Sequence, residues 1–372
     1  MKLVRKSILV GFTVLMSTSV FAAVILFPSL SLAEQKVKFG RYQSRAIFNK
    51  AQTTQCPAPL VILIPGSGAH GPEEMMPGTM THDGEDHAIF GEFSEGLRRG
   101  QVGTLAVGKP GLEFFKSWDP KDKFYDLSMY QNLEWQGLID NLKDAVEFAK
   151  TLSCVDPQRI YVLGHSEGTQ VAVDYAWQNP STVKGLLLVG FSGESLASTV
   201  EWQFFRRVID MLIAPDVDTN KDGYMSVEEA KAWPEVVWPW KPDQDKVSFA
   251  EIEQTLRSNP MAQKEYQTLE QSKMWKGVFD RAPIYDRAAS LKEDLYVFTG
   301  ALDVQTRPEE ALKMKDQCKK IQKKNCEVHL IPNLGHVMSL PKGPRKHKLL
   351  DATLGGVDES FKSLLHSKAQ KF

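Results

Sequence analysis

Six short apolar runs, at 60–64, 103–107, 159–163, 185–189, 295–299 and 327–331, recur along the chain with helix-patterned sequence between them. Runs apolar at successive positions suit strands buried on both faces, and parallel strands need covering helices as crossovers. The intervening segments 86–99, 128–152, 167–178, 307–324 and 346–366 carry apolar residues at helical spacing, most clearly Leu142, Ala145, Val146 and Ala149. The alternation predicts an α/β fold: a mostly parallel central sheet with helices on both faces. Segment 36–49 alternates enough to supply one or two edge strands. From 195 to 290 no convincing strand occurs, so this interval reads as a helical insertion over the strand ends. The expected domains are a core in two parts, 34–194 and 291–372, with a cap at 195–290.

The N-terminus predicts export. Lys2, Arg5 and Lys6 precede an uncharged stretch from 7 to 33, and Ser31 and Ala33 put small residues where a signal peptidase needs them, before Glu34. The stretch is long for a signal core, so a cleaved signal over 1–33 and an uncleaved anchor both stand, and a membrane association follows only from the anchor. Either places everything after Glu34 outside the cytosol, periplasmic or secreted. Lys and Arg number 45 against 46 Asp and Glu, a net charge of −1. No basic excess is present to grip a phosphate backbone, so nucleic acid is not an expected partner.

The run at 159–163 leads into Gly164-His-Ser-Glu-Gly168 and then into a helical pattern. A sharp strand-to-helix turn there lifts the Ser166 hydroxyl above the sheet edge, and glycine at 164 and 168 avoids collision with the neighbouring backbone. A serine hydroxyl is a poor nucleophile until a base takes its proton, and the base needs an acid to fix its tautomer. Asp303 follows the next-to-last apolar run and His336 the last. His165 is expected to pack beside the turn, His329 to lie in a strand, and His347 and His366 in the terminal helix. The run at 60–64 ends in Pro65-Gly-Ser-Gly-Ala-His-Gly71, whose backbone N–H groups are free to turn toward a developing oxyanion. Ser67 N–H and Glu167 N–H are the assigned donors.

These motifs, at 65–68, 164–168, 300–303 and 335–336, resemble the α/β-hydrolase superfamily, most closely exported serine esterases with a glycine-rich oxyanion loop and G-H-S-E-G. The resemblance covers about 34–194 and 291–372. It implies the triad Ser166, Asp303 and His336 at the C-terminal edge of the sheet. It also implies hydrolysis of small carboxylic esters through an acyl-enzyme, with no cofactor in the chemistry. Two departures concern substrate class: Pro65 stands where relatives often have His, and Gly108-Lys-Pro-Gly111 replaces a more usual Asp/Arg-containing turn. In such a fold the strands after Cys56 and Cys154 are neighbours, which favours pairing Cys56 with Cys154 and Cys318 with Cys326; free thiols are the alternative. The same triad serves peptidases and thioesterases, and a calcium-dependent binding module on an inactive scaffold is the reading of another class.

Inside the insertion, Asp218-Thr-Asn-Lys-Asp-Gly-Tyr-Met-Ser-Val-Glu-Glu229 fits the twelve-residue EF-hand loop. Asp218, Asn220 and Asp222 supply side-chain oxygens, Gly223 permits the tight turn, Tyr224 offers its carbonyl and Glu229 closes the loop. Ser226 stands at the ninth position. Helix-like sequence at 200–213 and 227–233 flanks it. Segment 240–251 matches the second half of such a loop, with Val247 at the apolar position and Glu251 at the end, but lacks the first ligands. It reads as a partner that holds no metal. Because the triad lies outside the insertion, calcium is expected to act on stability rather than on acylation. His70, Glu73, Glu74, His82, Asp83, Glu85, Asp86 and His87 read as a mobile polar lid in preference to a metal site. Trp233, Trp238 and Trp240 read as core of the insertion in preference to an acyl pocket.

Overall fold

The protein, here a computed structural model, is described over residues 34–53, 55–213, 217–231, 244–341 and 354–372, within a compact unit from Ala33 to Phe372. The segment 1–33 expected to direct export, Trp233, Trp238, Trp240 and His347 lie outside the described residues. Among the described residues no helix is long and apolar enough to cross a membrane.

Each apolar run forms a strand. The main sheet comprises β1 (Gln35–Phe39), β2 (Ser44–Asn49), β3 (Ala58–Ile64), β4 (Gly103–Val107), β5 (Val155–His165), β6 (Gly185–Val189), β7 (Asp294–Gly300) and β8 (Cys326–Ile331). Their spatial order is β1-β2-β4-β3-β5-β6-β7-β8. From β4 to β8 every neighbouring pair is parallel, while β2 runs antiparallel to both β1 and β4. The chain leaves β3 toward β4 on one side and leaves β5 toward β6 on the other. Connections that part in this way open a crevice at the carboxyl ends of β3 and β5, where open α/β sheets bind ligands.

The double-sided hydrophobicity of the runs is used on both faces. Leu60, Ile62 and Ile64 bury against Leu138, Leu142, Ala145 and Val146 of helix Trp135–Thr151, whereas Val61 and Leu63 bury with Phe90, Phe93 and Leu97 of helix Ile89–Arg99. A fully buried Leu or Ile contributes about 1.5–3 kcal/mol of transfer free energy, so such strands do not slide out of register cheaply.

Three boundaries differ from the sequence expectation. Segment 128–152 is two helices, Leu127–Gln131 and Trp135–Thr151, the first capped by Asp126, which accepts from Met129 N–H. The terminal helix that the structure describes runs from Glu359, its N-terminus capped by Asp358, and the expected start at 346 lies outside the described residues. The insertion does contain strands: Tyr224–Ser226 pairs antiparallel with Lys246–Ser248, register Met225↔Val247. Cys56 and Cys154 are bonded with Cα atoms 4.9 Å apart, at the feet of adjacent β3 and β5, and Cys318 is bonded to Cys326 at 6.4 Å.

Candidate active site

Ser166 sits between β5 and helix Glu167–Gln178 with φ +53° and ψ −120°, a left-handed conformation costly for a side chain and held by its surroundings. Its N–H donates to Val189 O at 2.9 Å, and its carbonyl accepts from Thr169 N–H at 2.9 Å. The glycines allow the turn: a Cβ on Gly164 would lie 2.2 Å from Gly168 O, and one on Gly168 would lie 2.6 Å from Ile64 O.

Asp303 follows β7 and His336 follows β8, and the imidazole Nδ1 lies 2.8 Å from Asp303 Oδ2, both side chains buried. Three further donors meet the carboxylate: Gln305 N–H at 2.8 Å and Thr306 N–H at 2.9 Å on Oδ1, and Thr306 Oγ1 at 2.9 Å on Oδ2. Burial alone would raise the Asp303 pKa, but the facing His336 and the backbone donors outweigh it and hold it below the usual carboxylate value. The ionised carboxylate therefore accepts from Nδ1–H, which leaves Nε2 as the basic nitrogen. His336 is seated against Gly190, which follows Val189 at φ +59°; a Cβ there would come within 2.9 Å of the ring. The His165 and His336 rings are 4.9 Å apart.

Two buried ion pairs support the turn at Ser166, and sequence pattern gave no sign that these partners meet. Glu74, only 2% exposed, accepts from Gly66 N–H at 2.8 Å and meets His165 Nδ1 at 2.9 Å, so one carboxylate oxygen joins the glycine-rich loop to the end of β5. This corrects the expectation of a mobile polar lid for that residue. Its neighbours are also engaged: His87 lies within hydrogen-bond reach of Asp83 and Glu92. Burial would raise the Glu74 pKa, yet His165 holds it below the usual value; burial would lower that of His165, yet Glu74 holds it above. Beside Ser166, Lys109 Nζ is 2.8 Å from Glu167 Oε1, and Trp275 of the insertion donates its indole N–H to Glu167 Oε2 at 2.7 Å. The departure at 108–111 thus supplies the cation for the residue next to Ser166.

Ser67 is exposed at the loop after β3, and Glu167 opens its helix, so its N–H has no intrahelical acceptor. Next to that loop a cavity of about 300 Å³ is lined by Ala69, His70, Phe114, Phe115, Trp118 and Phe124. These aromatics lie in a segment that carried no motif.

The loop from Asp218 to Glu229 is turned by Gly223 at φ +77°. Asp222 N–H donates to Asn220 Oδ1 at 2.9 Å, Tyr224 N–H to Asp222 Oδ1 at 2.9 Å, and Gly223 N–H to Asp218 Oδ2 at 3.2 Å. Glu229 is not turned into this group; its carboxylate accepts from Ser226 N–H and Oγ in a capping box. Among the described residues no three His, Cys, Asp or Glu side chains converge closely enough to share an ion.

Residues 61–343 match the alpha/beta hydrolase family, and the chain belongs to it. It is a hydrolase by that membership. Solved structures similar to it include Est1E from Butyrivibrio proteoclasticus, at 14% identity over 91% of this chain and 96% of that one, TM-score 0.45. Proline iminopeptidase of Mycobacterium smegmatis is similar at 16% identity over 91% and 98%, TM-score 0.46. A monoacylglycerol lipase of Paleococcus ferrophilus is similar at 13% over 88% and 98%, TM-score 0.44. No curated protein matches the chain.

Proposed function

We propose that the protein is an exported serine hydrolase that cleaves small carboxylic esters through Ser166, His336 and Asp303. The observation that carries this reading is the buried 2.8 Å contact of His336 Nδ1 with Asp303, beside a serine held left-handed at a strand-to-helix turn. His336 Nε2 takes the Ser166 proton as Oγ attacks the ester carbonyl carbon, and Ser67 N–H and Glu167 N–H stabilise the resulting oxyanion. Collapse of the tetrahedral intermediate expels the alcohol, protonated by His336, and leaves an acyl-enzyme. Water, deprotonated by the same histidine, then releases the acid and restores the serine. The aromatic cavity beside the oxyanion loop is shaped for an apolar part of the ester. Both cysteine pairs favour an oxidising compartment.

The reading includes a calcium ion on the EF-hand loop. Asp218 is 4% exposed and its Oδ1 has no hydrogen-bond partner, a buried carboxylate oxygen that a cation would satisfy. Asp218, Asn220, Asp222, the Tyr224 carbonyl and Glu229 would hold the ion, with Glu229 released from Ser226. Bound there, the ion would neutralise the carboxylates and order the insertion, and it would lie outside the reacting atoms. The partner segment is joined to the loop as a strand pair, with Val247 opposite Met225, and Ser248 and Glu251 repeat the capping box.

The test is Ser166→Ala, assayed with p-nitrophenyl esters and a fluorophosphonate probe. Turnover should fall by about 10⁶-fold with the fold intact. Retained turnover or labelling would reject the nucleophile.

A further inference from the structure

The insertion does more than cover the sheet edge. Its own apolar cluster, built from Ile209, Leu212, Met225, Val247 and Ile252, encloses one residue from outside it, Val304, which adjoins Asp303. Polar contacts follow the same route. Arg207 Nη1 donates to Val304 O at 3.0 Å, and Gln203 Nε2 donates to Gln305 O at 2.6 Å.

Peptide geometry gives these contacts a consequence. The peptide unit that carries Val304 C=O also carries Gln305 N–H, and the one that carries Gln305 C=O also carries Thr306 N–H. Both N–H groups donate to Asp303 Oδ1. Because the peptide is planar, the orientation of each oxygen fixes that of its N–H. Arg207 and Gln203 therefore grip, from the insertion side, the two peptides that hold the carboxylate from the other. Polarised hydrogen bonds in series also strengthen one another. The Arg207 guanidinium is itself deeply buried, which brings its pKa down to about 10, with the Asp303 charge opposing.

We propose that Gln203, Arg207 and Val304 are positioning residues for the catalytic carboxylate, and that through them the occupancy of the 218–229 loop is read at the triad. Helix Arg207–Leu212 leads toward Asp218, and Met225 of the loop's own strand touches the cluster that seats Val304. Ordering the loop thus firms the seat of the acid loop. This revises the expectation, drawn from sequence, that calcium leaves acylation untouched. The positioning half rests on the triad reading alone, and the metal half rests on the calcium reading as well.

The experiment is a double-mutant cycle on the full exported chain. Gln203→Ala and Arg207→Gln should each lower kcat about tenfold with KM changed less than about twofold, and should cost less than about twofold in an Asp303→Asn background. Val304→Ala should follow the same pattern, and circular dichroism checks that each variant folds. Equal losses in both backgrounds, or an undiminished kcat in folded Gln203→Ala and Arg207→Gln, would overturn the positioning role. For the metal half, calorimetry with calcium chloride is paired with kcat in calcium and in EGTA, below the melting transition. Binding with a fall in kcat on chelation, absent in Asp303→Asn, supports the link. Binding with kcat unchanged overturns the link and leaves the calcium reading standing; no binding overturns the calcium reading and leaves the cycle to decide positioning. Loss of the triad reading itself shows separately, as Ser166→Ala with wild-type turnover.

Discussion

Asp303 and Asp218 are buried to the same degree, each 4% exposed, yet their surroundings differ completely. Asp303 meets four donors across its two oxygens, including the imidazole it orients. Asp218 has one backbone donor on Oδ2 and nothing on Oδ1. A buried carboxylate without partners is costly, so the first, completed by the protein's own groups, is settled where it lies, while the second keeps an unsatisfied oxygen. On the proposed reading, the first carboxylate belongs to a catalytic chain and the second is open to a cation.

The largest expected effect breaks the completed side of this contrast. Asp303→Asn keeps the shape but favours the wrong His336 tautomer, and kcat should drop by about 10³–10⁴-fold in steady-state ester assays. Asp218→Asn should cost no more than about tenfold, through calcium affinity, since it acts only by way of the acid loop. A neutral Asp303→Asn would point to another carboxylate at a neighbouring strand end.

Glu167 is the second completed carboxylate, with Lys109 on one oxygen and Trp275 on the other. Lys109→Met strands a charge in a site where both side chains are 3% exposed, and chemical denaturation should show about 3–5 kcal/mol lost. Calcium sharpens the incomplete side. Saturation at about 10–100-fold over Kd should stabilise the wild type by about 1–3 kcal/mol in thermal melts, and Glu229→Gln should lose most of this. A melting curve indifferent to calcium would remove the distinction between the two aspartates.

Glu74 lies between the extremes: Oε1 takes two partners and Oε2 none. Its pKa is depressed from 4.5, so its contribution is present above that value and fades as pH falls through the lower folded one. The His165 pKa is raised from 6.5, so its contribution is full below that value and is lost as pH rises through the higher folded one. The stability gap between wild type and Glu74→Gln, on the order of 1 kcal/mol, should therefore peak between pH 4.5 and 6.5 and narrow on both sides. A gap independent of pH would mean that the pair is not ionised.

What could be read along the chain was whatever a local pattern dictates. The strand cores at 60–64, 103–107, 159–163 and 185–189 were legible because burial on both faces demands unbroken apolarity. Ser166 was legible because a strand-to-helix turn with flanking glycines has few other uses. Helix ends were less so: the starts at Leu127 and Glu359 are capped by Asp126 and Asp358, residues equally at home in loops, and the break before Trp135 carries no side-chain cap at all.

Glu74, Lys109 and Trp275 escaped because their partners lie 91, 58 and 108 residues away, and nothing in a charged or aromatic residue's neighbours announces a distant mate. The amino-acid sequence by itself determined the alternation of strand and helix, the strand-to-helix turn at Ser166, the places of Asp303 and His336 after successive strands, and a loop with calcium-ligand spacing, because each follows from residue type and spacing. Only the tertiary structure decided which carboxylates are completed and which are not, and that Val304 beside the acid is seated in the insertion. Partners far apart in the chain are chosen by how the sheet and the insertion pack, and packing sums contacts that no single stretch of sequence contains.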